Sequence, residues 1–284
     1  MWPISTSLAS LGFGEVSLAS RKALLVCSQA LEKKGKTHFA LTAPGPIALI
    51  STDTGSEETA AKFKKVGKVI HLLKSTPPKE IGTNVAAAIT EWDKLLKAWY
   101  GVISDKSIRT MIVDTHTEFW QVMRLARFGK LEQVPPKKYD EVNKDMRDMI
   151  KAIKERQNLN AVFIHKVKKT YVGSRKPDGT AGMDSWNGEY ERAGFGDMGY
   201  LCDVVVENNF SPPDEPGKRA LRRPSGTRAD GTSWQVEEKD FYIRILDTRY
   251  EMQDLIGQCF AGEECDFFNL VMAALPDADF DNWL

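Results

Sequence analysis

The sequence predicts an α/β fold in which helices cover both faces of a mostly parallel, twisted β-sheet. Short, continuous apolar runs recur along the chain and alternate with segments of helical period. Strands of this kind are typical of a parallel sheet that is buried between two layers of helices. The predicted strands are residues 22–27, 46–51, 69–73, 107–113, 160–164, 201–206 and 241–246. Helical patterns surround residues 57–63 and 83–100.

The length and composition are those of an ordinary globular protein. The chain has 284 residues, of which 42% are hydrophobic and 27% are charged. One α/β domain with attached loops is the simplest interpretation of this length. We expect a core at residues 21–275 with long loops near 168–200 and 211–234, an N-terminal extension at 1–20 and an acidic C-terminal tail at 276–284. No apolar run approaches the length needed to span a bilayer, so we expect no membrane partner.

Charge and cysteine usage narrow the possible partners and the compartment. Lysine plus arginine and aspartate plus glutamate number 39 each, so the net charge is zero. Contact with nucleic acid therefore needs a local basic patch. The start Met1-Trp2-Pro3 lacks the features of a secretory signal, and the four cysteines show no paired C-x-x-C spacing. These features predict a cytoplasmic protein with reduced thiols.

A phosphate-binding loop is predicted at residues 30–37, with the sequence ALEKKGKT. It fits the pattern G-x-x-x-x-G-K-[ST] at every fixed position except the first, which is Ala30. In such a loop backbone N–H groups surround the phosphates, Lys36 reaches their outer oxygens, and the Thr37 hydroxyl binds Mg²⁺. Ala30 lacks the access of glycine to positive φ, so phosphate binding is weaker if the loop needs that conformation there.

Asp114 is the second expected metal-holding residue, because it follows the apolar strand at residues 107–113. The alternative for Asp114 is the N-cap of the next helix, in a region where Thr115, Thr117 and Glu118 also suit a cap and a capping box. Ligands of parallel sheets bind beyond the carboxyl ends of the strands. Asp53 and His165 also follow predicted strand ends, so we expect them on the same rim as Asp114.

The order and spacing of these motifs resemble those of the RecA-like P-loop ATPases. The chain is more closely similar to phage nucleotide-binding proteins that consist of a RecA core and act in single-strand annealing. The resemblance runs from about residue 22 to about residue 257, and its motifs are 35–40 (GKTHFA), 49–55 (LISTDTG), 112–115 (IVDT), 163–166 (FIHK) and 244–249 (RILDTR). It implies ATP and Mg²⁺ as cofactors, and the host cytoplasm if the chain is phage-encoded. The residues that it places around the nucleotide are Ala30, Lys33, Lys34, Gly35, Lys36, Thr37 and His38.

The resemblance also implies catalytic roles. In this family an acidic residue after the second strand orients the attacking water, and Asp53 occupies the similar position. Glu57 and Glu58 are alternatives because aspartate is shorter than the usual glutamate, and a plain turn after the strand is a further one. Polar residues that end a later strand sense the γ-phosphate in the family, which implies His165 or Lys166. A hydrogen-bonded structural histidine is the alternative for His165.

The stretch 168–200 resembles the second DNA-binding loop of RecA-like proteins. Single strands are held by cations that follow the phosphates and by aromatic rings that stack on bases, and this stretch interleaves the two. A solvated surface loop is the alternative, since acidic residues within it dilute the charge. The implied DNA contacts are Lys168, Lys169, Tyr171, Arg175, Lys176, Trp186 and Arg192.

Self-assembly is implied by Arg249, which sits where RecA-like proteins place a cation that reaches the nucleotide of a neighbouring subunit. An ordinary ion pair with Asp247 or Glu251 is the alternative. The acidic tail is similar to the tips through which single-strand-binding proteins recruit replication partners, and a frayed terminus is the alternative. In related assemblies an N-terminal extension docks on the adjacent subunit.

The resemblance therefore implies an Mg²⁺-requiring, DNA-dependent ATPase that forms a ring or filament and binds single-stranded DNA. Its expected role is strand annealing or recombination. One alternative is an annealing module whose nucleotide site is structural and shows no significant turnover. Another is a helicase-like motor or packaging accessory of the same fold.

Overall fold

A computed structural model describes residues 23–53, 55–129, 135–173, 185–214, 222–228 and 231–275. The described strands are β1 (Leu25–Ala30), β2 (Ile47–Ser51), β3 (Ile70–Lys74), β4 (Thr110–Asp114), β5 (Asn160–Val172), β6 (Ser185–Arg192), β7 (Val204–Phe210), β8 (Ser225–Thr227), β9 (Ser233–Gln235), β10 (Phe241–Thr248) and β11 (Cys259–Ala261). The described helices are α1 (Lys36–Leu41), α2 (Ser56–Lys65), α3 (Pro78–Ile81), α4 (Val85–Ser104), α5 (His116–Phe128), α6 (Pro136–Glu155), α7 (Met198–Leu201) and α8 (Phe267–Ala274).

One large sheet organises the described part of the chain, in the order β11-β10-β7-β1-β5-β4-β2-β3. The five pairings from β7 through β1, β5, β4 and β2 to β3 are parallel. β10 and β11 close one side of the sheet as antiparallel strands. β5 runs on beyond the sheet and pairs with β6 in an antiparallel hairpin. This arrangement confirms the predicted α/β class with a mostly parallel sheet.

The sheet separates two apolar layers, because successive strand side chains point to opposite faces. One layer, called here the α1 layer, contains side chains of α1, α2 and α8, such as Phe39, Ala60 and Phe267. The other, the α4 layer, contains side chains of α4, α5 and α6, such as Trp99 and Phe119. On β1 the alternation puts even-numbered residues into the α1 layer and odd-numbered ones into the α4 layer. Helices therefore cover both faces, as predicted.

Three segments differ from the sequence-based expectation. β1 extends to Ala30, three residues beyond the predicted end, because polar Ser28 and Gln29 still pair with β5 and β7. Within the expected loop at 168–200, the hairpin of β5 and β6 and the short helix α7 are ordered elements. Backbone hydrogen bonds between β5 and β6 stabilise this hairpin, whereas the composition alone indicated an irregular loop. The small β8–β9 hairpin similarly lies within the other expected loop, 211–234.

Local signals place the helix that follows β4. The Thr115 side chain accepts a hydrogen bond from Glu118 N at 3.3 Å and caps α5, and Gly129 ends α5 in the left-handed conformation at φ 71°. The cap is therefore Thr115, and Asp114 remains the last residue of β4. None of the helices in the described ranges combines the length and the apolar character that a bilayer crossing requires.

Candidate functional site

The loop between β1 and α1 takes its path from two residues with positive φ. Gly35 has φ 78° and Lys33 has φ 59°, whereas Ala30 lies within β1. The left-handed conformation favours glycine, so Gly35 matches its position. Ala30 does not need that conformation. The departure of Ala30 from the phosphate-loop pattern is therefore no obstacle to this backbone path.

Ala30→Gly is expected to leave ATP affinity no higher than in the unaltered chain, because glycine's extra freedom has no use in a strand. Glycine in a strand interior instead lowers the free energy of unfolding by roughly 0.5–1 kcal/mol relative to alanine. Thermal unfolding together with calorimetric ATP titration checks both effects. A clear gain in ATP affinity would show that the loop is limited by the alanine.

The Lys36 ammonium lies inside the curve of this loop. It donates hydrogen bonds to the backbone oxygens of Ala30 at 3.1 Å and Leu31 at 2.6 Å. Burial lowers the pKa of Lys36, and the carboxylates of Asp114 and Asp53 oppose that shift. The group is thus a partly desolvated cation, held by weak neutral acceptors and facing acidic neighbours.

Thr37 and Asp114 are brought into direct contact by α1 and β4. The Thr37 hydroxyl donates to Asp114 Oδ2 at 2.7 Å. Asp114 is 2% exposed, and burial raises its pKa to about 6, with Asp53 and Glu118 adding to the rise and Thr37 and Lys36 opposing it. A hydroxyl and a carboxylate side by side, in a setting that disfavours the bare negative charge, are hard oxygen donors suited to Mg²⁺. The residues thus fit the metal that the motif requires.

Asp53 follows β2 at the same edge and is exposed. Its charge shifts the pKa of Lys36, Asp114 and Lys166, so it lies near those groups. Of the alternatives, Glu57 forms an ion pair with Lys74, and Glu58 is exposed on α2. Asp53 is therefore the first candidate among the three carboxylates for a position beside the phosphates.

Lys166 joins this cluster from β5, opposite Ala30 in the register of β1. Its ammonium donates to Glu118 Oε1 at 2.6 Å, and its backbone N–H donates to the Thr117 hydroxyl at 3.0 Å. Burial lowers the pKa of Lys166, but the hydrogen bond and charge of Glu118 outweigh burial, so the net shift is upward. A permanent cation therefore stands beside Lys36 at the carboxyl edge of the sheet.

His165 does not join the cluster, which corrects the expectation of a site role for His165 and leaves Lys166 of the two. Strand alternation sends its side chain into the α4 layer, where it is fully buried and its ring lies 4.8 Å from that of His116. Its Nδ1 lies 3.1 Å from the Ala193 carbonyl oxygen. Burial lowers the pKa of His165 to about 3, so the ring is neutral at physiological pH. The polar strand-end position that faces the loop belongs to Lys166.

Arg249 lies at the opposite edge of the sheet. Its Nε pairs with Asp203 Oδ1 at 2.7 Å, and Asp203 Oδ2 accepts the backbone N–H of Leu25, the first residue of β1. β1 is six residues long, so roughly 17 Å of strand separates this pair from the loop. Arg249 is therefore out of reach of the loop in its own chain. It forms its ion pair with Asp203, whereas the alternative to the role in assembly named Asp247 or Glu251.

The residues predicted to contact DNA divide between the two faces of the β5–β6 hairpin. Directly opposed pairs share a face: Lys169 lies opposite Tyr190, and Tyr171 opposite Trp186. These four form one face, called here the aromatic face, on which the Lys169 ammonium lies 4.8 Å from the centre of the Trp186 ring. All three aromatic side chains are exposed.

Other predicted contacts are otherwise engaged. Lys168 points to the opposite face and pairs with Glu191 at 3.1 Å. Arg192 lies at the base of the hairpin and donates to the Gly196 carbonyl oxygen at 2.8 Å.

Among the residues predicted around the nucleotide, His38 packs on Phe63 of α2. Lys33 is exposed and Lys34 is half-buried in the loop. Arg175, Lys176, the extension at 1–20 and the tail at 276–284 lie outside the described residues.

Two features of the site were not anticipated. Glu118 appears in the sequence only as a capping candidate, yet it carries the ion pair to Lys166. Phe241 appears only as the start of an apolar strand, yet its ring lies against Gly35. Helix periodicity and strand register could have suggested Glu118, since it is one turn into a helix that starts at the functional edge. No sequence pattern relates Phe241 to Gly35.

Comparison with known proteins gives one family. A sequence family described as an AAA domain matches residues 26–232, which include the loop, Asp53, Asp114 and Lys166. No curated protein sequence matches the chain. Among solved structures, the chain is similar to the crystal structure of the RadB recombinase, with a TM-score of 0.45 and 13% identity, over 90% of this chain and 92% of that one.

Proposed function

The chain belongs to this AAA domain family, and on that premise we propose that it binds and hydrolyses ATP with Mg²⁺ and binds single-stranded DNA. The observation that carries the proposal is the contact between Thr37 and Asp114, beside the Lys36 ammonium. Three residue types that a nucleoside triphosphate and its metal require thus meet at the end of β1, although two of them are separated by 77 residues.

Lys36 supplies the positive charge for the outer phosphates. Its present acceptors are neutral carbonyl oxygens, and charged phosphate oxygens form stronger hydrogen bonds with an ammonium. We expect Lys36 to exchange the carbonyls for the β- and γ-phosphates, and Lys166 to add a second cation at the γ-phosphate. Thr37 and Asp114 would hold Mg²⁺, which neutralises developing charge on the phosphates.

Asp53 is the proposed group that orients the attacking water. It is exposed at the carboxyl edge of β2 and acts electrostatically on Lys36 and Asp114, so a water beside it would lie near the phosphates. The backbone oxygen of Asp53 accepts the Ser51 hydroxyl at 2.8 Å, which fixes the turn that presents the carboxylate. The carboxylate can accept a proton from water as the water oxygen bonds to the γ-phosphorus and the bond from that phosphorus to the β,γ-bridging oxygen breaks, which releases ADP.

Single-stranded DNA is the proposed ligand of the aromatic face. A cation over an aromatic ring and two further exposed rings form a platform on which bases can stack while phosphates meet Lys169. The hairpin connects to the nucleotide site through β5, which carries Lys166 at its middle and Lys169 three residues later. Nucleotide and DNA therefore contact the same strand, which gives a physical basis for DNA-dependent turnover.

Strand annealing or recombination within a ring or filament is the proposed use of these two activities. Support comes from Arg249, which lies too far from its own loop and could act only on the nucleotide of an adjacent copy. That role requires Arg249 to exchange Asp203 for phosphate. Hydrolysis would then depend on assembly, as it does for other arginine fingers supplied in trans.

A phosphate-release assay with and without single-stranded DNA tests the proposal against its two alternatives. DNA-stimulated release supports an ATPase coupled to DNA. Annealing of complementary strands without release would identify a module with a structural nucleotide site. Directional strand displacement would identify a motor.

Trp186→Ala is expected to weaken single-stranded DNA binding by roughly 5- to 150-fold, because a stacked base contributes about 1–3 kcal/mol. Fluorescence anisotropy of labelled DNA across a salt series measures the change. Tyr100→Ala is the matched control, since Tyr100 is an exposed aromatic residue on α4, outside the stretch 168–200. Equal DNA affinity for the unaltered chain and both variants would contradict the assignment.

A further inference from the structure

The ring of Phe241 lies directly against the phosphate loop. A Cβ atom added at Gly35 would lie 2.8 Å from Phe241 Cδ1, so the ring packs on the one loop position that has no side chain. At the same time Phe241 is 45% exposed. A large apolar ring therefore covers the backbone just before Lys36 on one side and is open to solvent on the other.

Strand register places this ring on the same face and edge as the loop. Ile243 and Ile245 of β10 point into the α1 layer, so alternation sends Phe241 to that face too. β10 runs antiparallel to β7 and begins where β7 ends, with Phe241 opposite Phe210. Because β7 is parallel to β1, the end of β7 lies at the edge where β1 enters the loop. The position of Phe241 is thus a consequence of sheet topology.

Phe210 supports the ring. The two ring centres are 4.9 Å apart with the planes tilted by 45°, an arrangement that aromatic pairs favour. One step back along β7, on the same face, Asn208 is buried and accepts the Ser28 hydroxyl of β1 at 2.6 Å. The Phe241 ring is therefore supported by ordered strand residues on one side. Its solvent-exposed side is available to a ligand.

We propose that Phe241, supported by Phe210, stacks on the base of the nucleotide whose phosphates occupy the loop at residues 30–37. This inference rests on the proposed function, and it adds the base-binding part of the same site. Stacking uses the flat surface of a base and does not read its hydrogen-bonding edge. The ring thus contributes to the binding of ATP and GTP alike, and contributes nothing to a ligand that has phosphates only.

The test compares ATP with inorganic tripolyphosphate, each with Mg²⁺, by calorimetric titration of the full chain. Phe241→Ala is expected to weaken ATP binding by roughly 5- to 150-fold and to leave tripolyphosphate binding unchanged. Phe241→Leu, which keeps an apolar side chain without a π-face, should resemble the alanine variant, whereas Phe241→Trp should bind ATP as tightly as the unaltered chain. Tyr100→Ala is the matched control, because Tyr100 is 43% exposed on α4 and lies away from the loop.

The outcomes are separable. Unchanged ATP affinity in Phe241→Ala would overturn the stacking proposal and leave the phosphate site intact. Equal losses for ATP and tripolyphosphate would also overturn it, since the ring would then only support the loop. Failure of the unaltered chain to bind either ligand would overturn the proposed function itself.

Discussion

Lys36→Ala is expected to lower ATP turnover by about 100- to 1,000-fold, because the variant loses the side-chain cation that lies inside the curve of the loop. The remaining cation nearby, Lys166, is tied to Glu118 and approaches from a different strand. Backbone N–H groups can still contact phosphate, so residual weak binding is compatible with the assignment. The loss should appear in both affinity and rate, since the lysine contacts the ground state and the transition state.

Calorimetric titration and phosphate release measure the two effects. Lys64→Ala is the control, because Lys64 is an exposed lysine on α2 outside the cluster. The Lys36 side chain is not part of the apolar core, so the variant should unfold at a temperature close to that of the unaltered chain. Unaltered ATP affinity in Lys36→Ala would end the identification of residues 30–37 as the phosphate loop.

The parts of the fold that depend on local periodicity and composition were predictable. Continuous apolar runs identified each parallel strand. The family match shows an AAA domain, and the sheet topology confirms the predicted α/β fold class. The proximity of Thr37 and Asp114 also follows from pattern, because a strand that ends in aspartate and a G-K-T turn both belong to the carboxyl edge. These features need only the sequence around each motif.

The parts that depend on register were not predictable. Whether His165 or Lys166 faces the loop is decided by strand parity, and one residue of difference sends the side chain to the other layer. The partner of Arg249 is Asp203, 46 positions earlier by sequence number, because β7 and β10 are antiparallel neighbours. The contact between Phe241 and Gly35 likewise joins residues that are far apart in the sequence, because β10 and β1 lie on either side of β7. Non-local pairing of this kind leaves no short-range trace in a sequence.

Asp114→Asn is expected to separate metal binding from folding. The variant keeps the size of the side chain and an oxygen that can accept the Thr37 hydroxyl, but it loses the negative charge. Removal of a metal-orienting carboxylate weakens metal binding by about 10- to 100-fold, so Mg²⁺-dependent turnover should fall by at least that factor. Titration of turnover against Mg²⁺ concentration measures the loss, and Lys36→Ala, which should lose turnover at every Mg²⁺ concentration, provides the contrast.

Stability should change in the opposite direction. The pKa of Asp114 is raised from 3.8 to about 6 in the folded chain, chiefly by burial, so between these values the folded state holds a proton that the unfolded state has lost. The contribution of Asp114 to the free energy of unfolding therefore falls as pH rises through this window. Above pH 6 the charged carboxylate lowers the free energy of unfolding by about 3 kcal/mol. The asparagine variant avoids this cost, and its gain is reduced by the cost of an amide N–H group without a hydrogen-bond partner. Without metal, Asp114→Asn should accordingly unfold at a temperature no lower than the unaltered chain at pH 8, and lose that relative advantage near pH 4. Lower stability of the variant at pH 8 together with full turnover would show that Asp114 is a structural carboxylate. A metal-holding carboxylate has the opposite effects, because it lowers stability and supports turnover.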